Sequence, residues 1–133
     1  MKIIEVIGNQ TLSGQIRIGG AKNSAVALIP ACILGSDDVP LTNVPDISDI
    51  DILCKTLEYL GVSVNRASQS LVINSSNMEY KNIPVELSGK LRASYYFMSS
   101  LLAKYKHVEM HFPGGCSIGS RPIDQTLKVY KAF

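Results

Sequence analysis

The sequence lacks the features of a metal site, a disulfide framework, an exported protein or a membrane span. Its 133 residues hold three cysteines, an odd number, with no C-x-x-C spacing and no nearby pair of histidines. This usage argues against zinc or structural disulfides and favours a reducing compartment. The N-terminus has no basic stretch followed by an apolar run, and no apolar segment approaches the roughly 20 residues of a membrane span. We therefore expect a soluble, cytoplasmic protein.

Neither positive nor negative charge is in clear excess. Lys and Arg total 13 against 11 Asp and Glu, a formal net charge of +2. No excess charge suggests a partner such as a nucleic acid or a membrane surface. Any anion-binding site must therefore be a local cluster, within a chain long enough for one domain with a moderate core.

One loop concentrates the residues with chemical potential. In the run PGGCSIGSRPID, residues 113–124, three glycines and two prolines surround one thiol and one guanidinium. Glycine lets backbone N–H groups approach a ligand, and proline restricts the loop. Arg121 could pair with a phosphate or carboxylate, and its field would favour the thiolate of Cys116. These residues alone leave two interpretations open, a reactive cysteine beside an anion site or a surface turn with an incidental cysteine.

Two helix starts upstream carry a cation each. A glycine pair precedes Lys22, which lies at the start of a predicted helix. Asn23 or Ser24 is expected to cap this helix, which is apolar nearly all round and contains a proline. Arg92 lies in the first turns of a helix predicted over residues 88–102. A helix N-terminus attracts anions and disfavours cations, so both positions suggest anion binding. A solvated lysine and an arginine lying over a helix surface remain the simpler alternatives.

The rest of the chain predicts alternating strands and helices. The helix after Pro45 shows an apolar stripe that includes Cys54, so this thiol is predicted to be a core residue, as is Cys32. Helix, strand, proline-containing loop and helix occur twice, about 70 positions apart, and the second unit lacks closing strands, which predicts a truncated second repeat. The predicted strands are 3–7 and 14–18, forming an N-terminal hairpin, 39–44, 62–64, 70–73 and 108–112, and a last helix covers 123–133.

Three motifs together resemble the UDP-N-acetylglucosamine 1-carboxyvinyltransferase family: residues 20–24 (GAKNS), 91–94 (LRAS) and the loop 113–124. The resemblance covers the chain from about residue 3, but only the first third or so of the family's usual length. It implies an α+β fold, an inside-out α/β barrel built from βαβαββ repeats. Residues 1–21 would be a β-hairpin belonging to the family's second domain. Residues 22–133 would be a partial first domain, with one full repeat and most of a second.

The resemblance also implies an activity, the transfer of the enolpyruvyl group from phosphoenolpyruvate to the 3′-hydroxyl of UDP-N-acetylglucosamine in peptidoglycan precursor synthesis. Cys116 would be the general acid and the site of covalent attachment of phosphoenolpyruvate and of the antibiotic fosfomycin. No metal, organic cofactor, nucleic acid or membrane is implied. Phosphoenolpyruvate would be bound by Lys22, Asn23 and Arg121, and UDP-N-acetylglucosamine by Asn23, Arg92, Arg121, Pro122, Ile123, Asp124 and Gln125.

Other features limit what this chain would do. Gly89 stands where the family usually has a basic residue, which lowers the local positive charge. The general base would lie beyond Phe133, so the 133-residue chain by itself should show no turnover and could self-associate through exposed edges. Three alternatives are a related enzyme acting on shikimate 3-phosphate, which would lack the loop thiol, a non-catalytic nucleotide-sugar-binding fragment, and a cysteine-based redox sensor.

Overall fold

The computed structural model of the chain describes residues 3–111 and 123–132. None of the helices in these two ranges has the length and apolar character needed to cross a bilayer. Two short 3₁₀ turns, Cys32–Leu34 and Arg92–Tyr95, accompany the regular elements. Those elements are α1 (Lys22–Ala31), β1 (Val39–Leu41), α2 (Ser48–Tyr59), β2 (Ser63–Ala67), β3 (Ser70–Asn74), α3 (Val85–Ser88), α4 (Tyr96–Tyr105) and α5 (Asp124–Ala132).

The sheet of the described region is antiparallel, with strand order β1-β3-β2. Ile73 of β3 pairs with Val39 on one side and with Val64 on the other. Along β3, Leu71 and Ile73 are buried while Val72 between them is exposed, so one face of the sheet packs on the helices. β1 carries Pro40 at the sheet edge, where a missing N–H is tolerated. The strands predicted at residues 62–64 and 70–73 are confirmed, and the structure pairs them as a hairpin.

The core lies between the sheet and helices α1, α2 and α4. The predicted stripe of α2 is confirmed, because Ile50, Leu53, Cys54 and Leu57 are buried. Cys32 and Cys54 are buried free thiols, as predicted. Burial raises the pKa of both, which makes them poor nucleophiles at neutral pH. The large side chains with at most 1% exposure are Ile29, Ile33, Ile50, Leu53, Leu57, Leu60, Leu71, Ile73, Ile83, Phe97 and Leu101.

Helix α1 differs from its prediction in two respects. It begins at Lys22 with Ala21 as N-cap and no side-chain capping bond, so neither Asn23 nor Ser24 caps it. Its burial is one-sided: Ile29 is fully buried, whereas Leu28 is 53% exposed. The helix accommodates Pro30 and then tightens into the 3₁₀ turn that follows. Near-uniform apolar composition therefore did not mean burial on all sides.

The helix predicted over residues 88–102 is interrupted. α3 ends at Ser88, Leu91 takes an extended conformation, and the 3₁₀ turn and α4 follow. A Cβ on Gly89 would lie 2.6 Å from the Val85 carbonyl oxygen, so glycine permits the tight end of α3. The Ser94 hydroxyl donates to the Ser88 carbonyl at 2.9 Å and ties the two pieces together. Phe97, in the first turn of α4, is fully buried.

Two predicted strand regions are not formed as strands. Residues 3–21 carry no helix or strand, and their apolar side chains are exposed, including Ile4 at 90% and Leu12 at 91%. An isolated hairpin is marginal in water, and no strand of the described sheet pairs with this segment. The strand predicted over 108–112 is reduced to a single parallel bridge between Met110 and Ile83, and its last residue lies outside the described ranges.

Candidate functional site

An ion pair at the candidate site joins two helix starts. Lys22 is the first residue of α1, and its Nζ lies 2.6 Å from Oδ2 of Asp49. Asp49 lies in the first turn of α2, where a carboxylate is favoured by the helix dipole. The Asp49 side chain is 19% exposed and that of Lys22 is 55% exposed. A partly buried carboxylate thus holds a more exposed ammonium.

A close approach of two loops brings this pair together. A Cβ built on Gly20 would lie 1.6 Å from the carbonyl oxygen of Asn43, so only glycine fits where the loop before α1 crosses the loop before α2. Asn43 itself has a left-handed conformation, with φ of 56°. The next residue, Val44, donates its N–H to the Gln69 carbonyl at 2.8 Å and is buried. The hairpin turn therefore anchors the loop against which Gly20 packs.

A cleft of about 220 Å³ lies beside the start of α1. Its walls come from the first turns of α1 and from the segment that links β1 to α2. The backbone of a helix start offers N–H groups with no partner inside the helix, which suit an anion. The lining residues are Gly20, Ala21, Ser24, Ala25, Leu28, Leu41, Thr42, Asn43 and Val44.

The second predicted cation, Arg92, lies at the first position of its 3₁₀ turn and is half-buried. Two tyrosines follow in the turn and at the start of α4, and the rings of Tyr95 and Tyr96 stack with centroids 4.3 Å apart. A hydrogen bond with Tyr96 and burial raise the pKa of Tyr95 to about 12, while the nearby charge of Arg92 acts in the opposite direction. Arg92 is thus partly desolvated and lies close enough to Tyr95 to influence the pKa of its hydroxyl.

Lys104, near the end of α4, joins that helix to the 3₁₀ turn after α1. Its Nζ donates hydrogens to the Ile33 carbonyl at 2.7 Å and to the Ser75 hydroxyl at 3.1 Å. α4 also contacts both α1 and the 3₁₀ turn that continues it. The helices that follow Lys22 and Arg92 in the chain therefore pack against each other.

The residues predicted to bind the nucleotide sugar fall partly at the start of α5. Ile123 is buried, whereas Asp124 and Gln125 are exposed and the Gln125 amide donates to the Asp124 carboxylate at 3.1 Å. A hydrogen bond between the hydroxyls of Ser99 and Tyr130 ties α5 to α4. The start of α5 therefore offers two polar side chains to a ligand but not the side chain of Ile123.

The remaining predicted residues have separate outcomes. Asn23 is exposed on the first turn of α1, next to Lys22. Cys116, Arg121 and Pro122 lie outside the described residues. Sequence reasoning missed Asp49, which lies 27 positions from Lys22. Its only local signal was a carboxylate in a predicted first turn, which the dipole explains without any site. No group of three His, Cys, Asp or Glu side chains that could hold a metal ion occurs within the described ranges.

Comparison with known proteins places these observations in a family context. The family model described as "EPSP synthase (3-phosphoshikimate 1-carboxyvinyltransferase)" matches residues 6–133. Among curated proteins, UDP-N-acetylglucosamine 1-carboxyvinyltransferase 2 of Oceanobacillus iheyensis is 46% identical over 133 residues, covering 100% of this chain and 31% of that protein. UDP-N-acetylglucosamine 1-carboxyvinyltransferase of Synechocystis sp. is 43% identical over 131 residues, covering 98% and 30%. The chain spans about a third of the length of the curated relatives that it matches.

A solved structure shows the same architecture. The enolpyruvyl transferase NikO from Streptomyces tendae superposes with a TM-score of 0.64 at 25% sequence identity. The superposition covers 74% of this chain and 23% of that one.

Proposed function

The chain belongs to the EPSP synthase family, whose model it matches almost throughout, and from this premise we propose that it forms part of an enzyme that transfers enolpyruvate from phosphoenolpyruvate to the 3′-hydroxyl of UDP-N-acetylglucosamine. The observation that carries the proposal is the match to curated proteins of that name across the whole chain. In cells this reaction would serve peptidoglycan precursor synthesis in the cytoplasm.

The predicted fold is confirmed. The chain has the mixed helix and sheet content of an α+β protein and the fold of a solved enolpyruvyl transferase. The domain division goes further and is part of the proposal: residues 1–21 belong to a second domain, and residues 22–133 are a partial first domain. Supporting this division, the apolar side chains of residues 3–18 are exposed, whereas α1 begins the packed core.

Phosphoenolpyruvate presents a phosphate and a carboxylate, so its binding requires several cations or N–H donors. In the proposal Lys22, Asn23 and Arg121 bind this substrate. Two observations support the assignment: Lys22 and Asn23 occupy the first turn of α1, where N–H groups lack partners inside the helix, and the cleft beside that turn is open.

The nucleotide sugar would be bound by Asn23, by Arg92 and by residues 121–125. The half-buried position of Arg92 supports this role, because a partly desolvated guanidinium interacts more strongly with a diphosphate than an exposed one does. At the start of α5, Asp124 and Gln125 present side chains to solvent. Ile123 is buried, so its contribution would come from its backbone.

Cys116 would supply the proton for the addition step. The sugar hydroxyl oxygen forms a bond to C2 of phosphoenolpyruvate as a general base takes its proton, and the methylene C3 takes a proton from the thiol, which becomes a thiolate. In the resulting tetrahedral ketal the bond from C2 to the phosphate oxygen then breaks, and phosphate leaves with the proton held by the general base. A proton from C3 returns to the thiolate, which leaves the enolpyruvyl ether and restores the thiol. Cations beside the phosphate and carboxylate stabilise the charge that develops at both stages.

Fosfomycin labelling tests the proposal at its reactive residue. The protein is expressed from its complete reading frame, treated with fosfomycin and digested, and the three cysteines are analysed by mass spectrometry. We expect the adduct on Cys116 and loss of phosphate release from phosphoenolpyruvate and UDP-N-acetylglucosamine. Cys32 and Cys54 are internal controls, because their buried thiols should remain unmodified. Full activity with unlabelled Cys116, or equal labelling of all three cysteines, would contradict the proposal.

A second candidate acceptor is shikimate 3-phosphate. The description of the matching family model favours it, because that description names 3-phosphoshikimate 1-carboxyvinyltransferase. The two acceptors are compared in one assay of phosphate release with phosphoenolpyruvate held constant. Turnover with shikimate 3-phosphate and none with the amino sugar would replace the first candidate by the second.

A further inference from the structure

We propose that Asp49 is a positioning residue, which holds the Lys22 ammonium where its remaining hydrogens meet the phosphate or carboxylate of the bound substrate. The inference rests on the proposed function, since it deepens the role of Lys22 in binding phosphoenolpyruvate. Its starting observation is the 2.6 Å contact between Lys22 Nζ and Asp49 Oδ2.

Asp49 is the fixed member of the pair. Its side chain is 19% exposed against 55% for Lys22. The neighbouring residue Ile50 is fully buried and holds the start of α2 in the core. The close approach of Gly20 to Asn43 then brings the start of α1 within reach of Asp49. The carboxylate therefore determines where the ammonium lies, not the reverse.

The chemistry of the ammonium makes this placement useful. A lysine side chain has four rotatable carbons, and ordering it upon binding reduces affinity. The ammonium carries three N–H donors, of which Asp49 takes one and leaves two for an anion. Because Lys22 is the first residue of α1, an anion bound there would also meet the N–H groups of the first turn. Asp49 would thus order Lys22 before the substrate arrives.

A carboxylate beside an anion site has a second possible effect, because it lowers the local positive charge. The two effects predict opposite outcomes when Asp49 is removed. If Asp49 only screens Lys22, Asp49→Ala strengthens anion binding. If Asp49 positions Lys22, the same change weakens binding, since the ammonium must then be ordered by the substrate itself.

The test compares three variants of the protein expressed from its complete reading frame, with phosphoenolpyruvate and inorganic phosphate as probes in calorimetric titrations. We expect Asp49→Ala to weaken phosphoenolpyruvate binding about three- to tenfold, the range for ordering one long side chain. Asp49→Asn keeps an acceptor oxygen and should recover part of the loss. Asp46→Ala is the matched control: it removes the same charge just before α2, but its carboxylate is 85% exposed and pairs with Arg66. It should change affinity less than about twofold.

Two further readouts separate positioning from a general effect on folding. In a Lys22→Met background, Asp49→Ala should cause no additional loss of affinity, because its effect acts through Lys22. In nitrogen-15 NMR without any ligand, the Lys22 ammonium signal should be visible in the wild type and lost in Asp49→Ala. Should Asp49→Ala fail to fold, Asp49→Asn provides the same comparisons, with a smaller expected loss.

The outcomes are distinguishable. Unchanged or tighter binding by the Asp49 variants, or an additive loss in the Lys22→Met background, overturns the positioning role. A wild-type protein that binds phosphate but not phosphoenolpyruvate overturns the proposed substrate alone, and the Asp49 comparison is then read with phosphate. Binding of neither anion overturns both proposals.

Discussion

Replacing Gly20 by alanine tests how the candidate site is assembled. The added Cβ would lie 1.6 Å from the Asn43 carbonyl oxygen and 2.8 Å from its carbonyl carbon. Both neighbours are backbone atoms, so no side-chain rotation relieves the overlap. Either the loop before α2 moves, against the hydrogen bond of Val44 to Gln69, or the segment before α1 separates from it. In both cases Lys22 moves away from Asp49.

The expected cost follows from what is lost. Overpacking in well-packed regions typically costs about 1–3 kcal/mol of folding free energy. The cost cannot rise much further, because the exposed residues before Gly20 can shift with it and separate from the loop before α2. The half-exposed ion pair between Lys22 and Asp49 contributes at most about 1 kcal/mol of this. We therefore expect Gly20→Ala to lose about 1–3 kcal/mol, which lowers the urea midpoint by about 1 M for a domain of this size.

The neighbouring glycine is a matched control. A Cβ on Gly19 meets nothing within 4 Å, so Gly19→Ala makes the same chemical change one position earlier without a clash. Unfolding is followed by far-UV circular dichroism, because the 133 residues contain no tryptophan whose fluorescence could report it. Equal urea midpoints for Gly20→Ala and Gly19→Ala would refute the reasoning that the close approach assembles the site. The Lys22 ammonium signal should also be lost only in Gly20→Ala.

Four further outcomes are expected. Phe97→Ala should cost about 3–5 kcal/mol in urea unfolding, since Phe97 is fully buried. Lys104→Met should cost about 1–2 kcal/mol in thermal unfolding, because the Ile33 carbonyl loses a charged donor. The pKa of Tyr95 in the folded state is about 12, above its ordinary 10, so its contribution to stability is complete below pH 10 and is lost as the pH rises through 12. Tyr95→Phe should remove this loss, which is measured as the free energy of urea unfolding across that pH range. The 133-residue chain by itself should release no phosphate from phosphoenolpyruvate and UDP-N-acetylglucosamine; measurable turnover would contradict this.

Predictions from local patterns succeeded where the pattern itself specifies the contact. The stripe along α2 was readable because apolar residues three and four positions apart share one helix face, whatever lies against it. The strands β2 and β3 were readable because each short segment contains β-branched residues, which favour strands. Cys54 and Cys32 were correctly predicted to be core residues, because each lies in an apolar stretch of a predicted helix.

Predictions failed where the outcome depends on distant partners. Strands at 3–7 and 14–18 have suitable residues, but a strand requires a neighbour, and no strand of the described sheet pairs with them. The helix expected over residues 88–102 has apolar residues at helical spacing, such as Leu91, Tyr95 and Met98, yet tight turns around Gly89 and Leu91 interrupt it. The roles of Cys116 and Arg121 remain predictions, since these residues lie outside the described ranges.

Sequence by itself determined the family, since three short motifs in one order resembled one group of enzymes and the comparisons matched the same chain throughout. Tertiary structure alone decided which charges meet. Lys22 and Asp49 lie 27 positions apart, and no periodicity relates them. Their contact exists because Gly20 lets one backbone pass against another, and a distance across space leaves no trace in the spacing of residues along the chain.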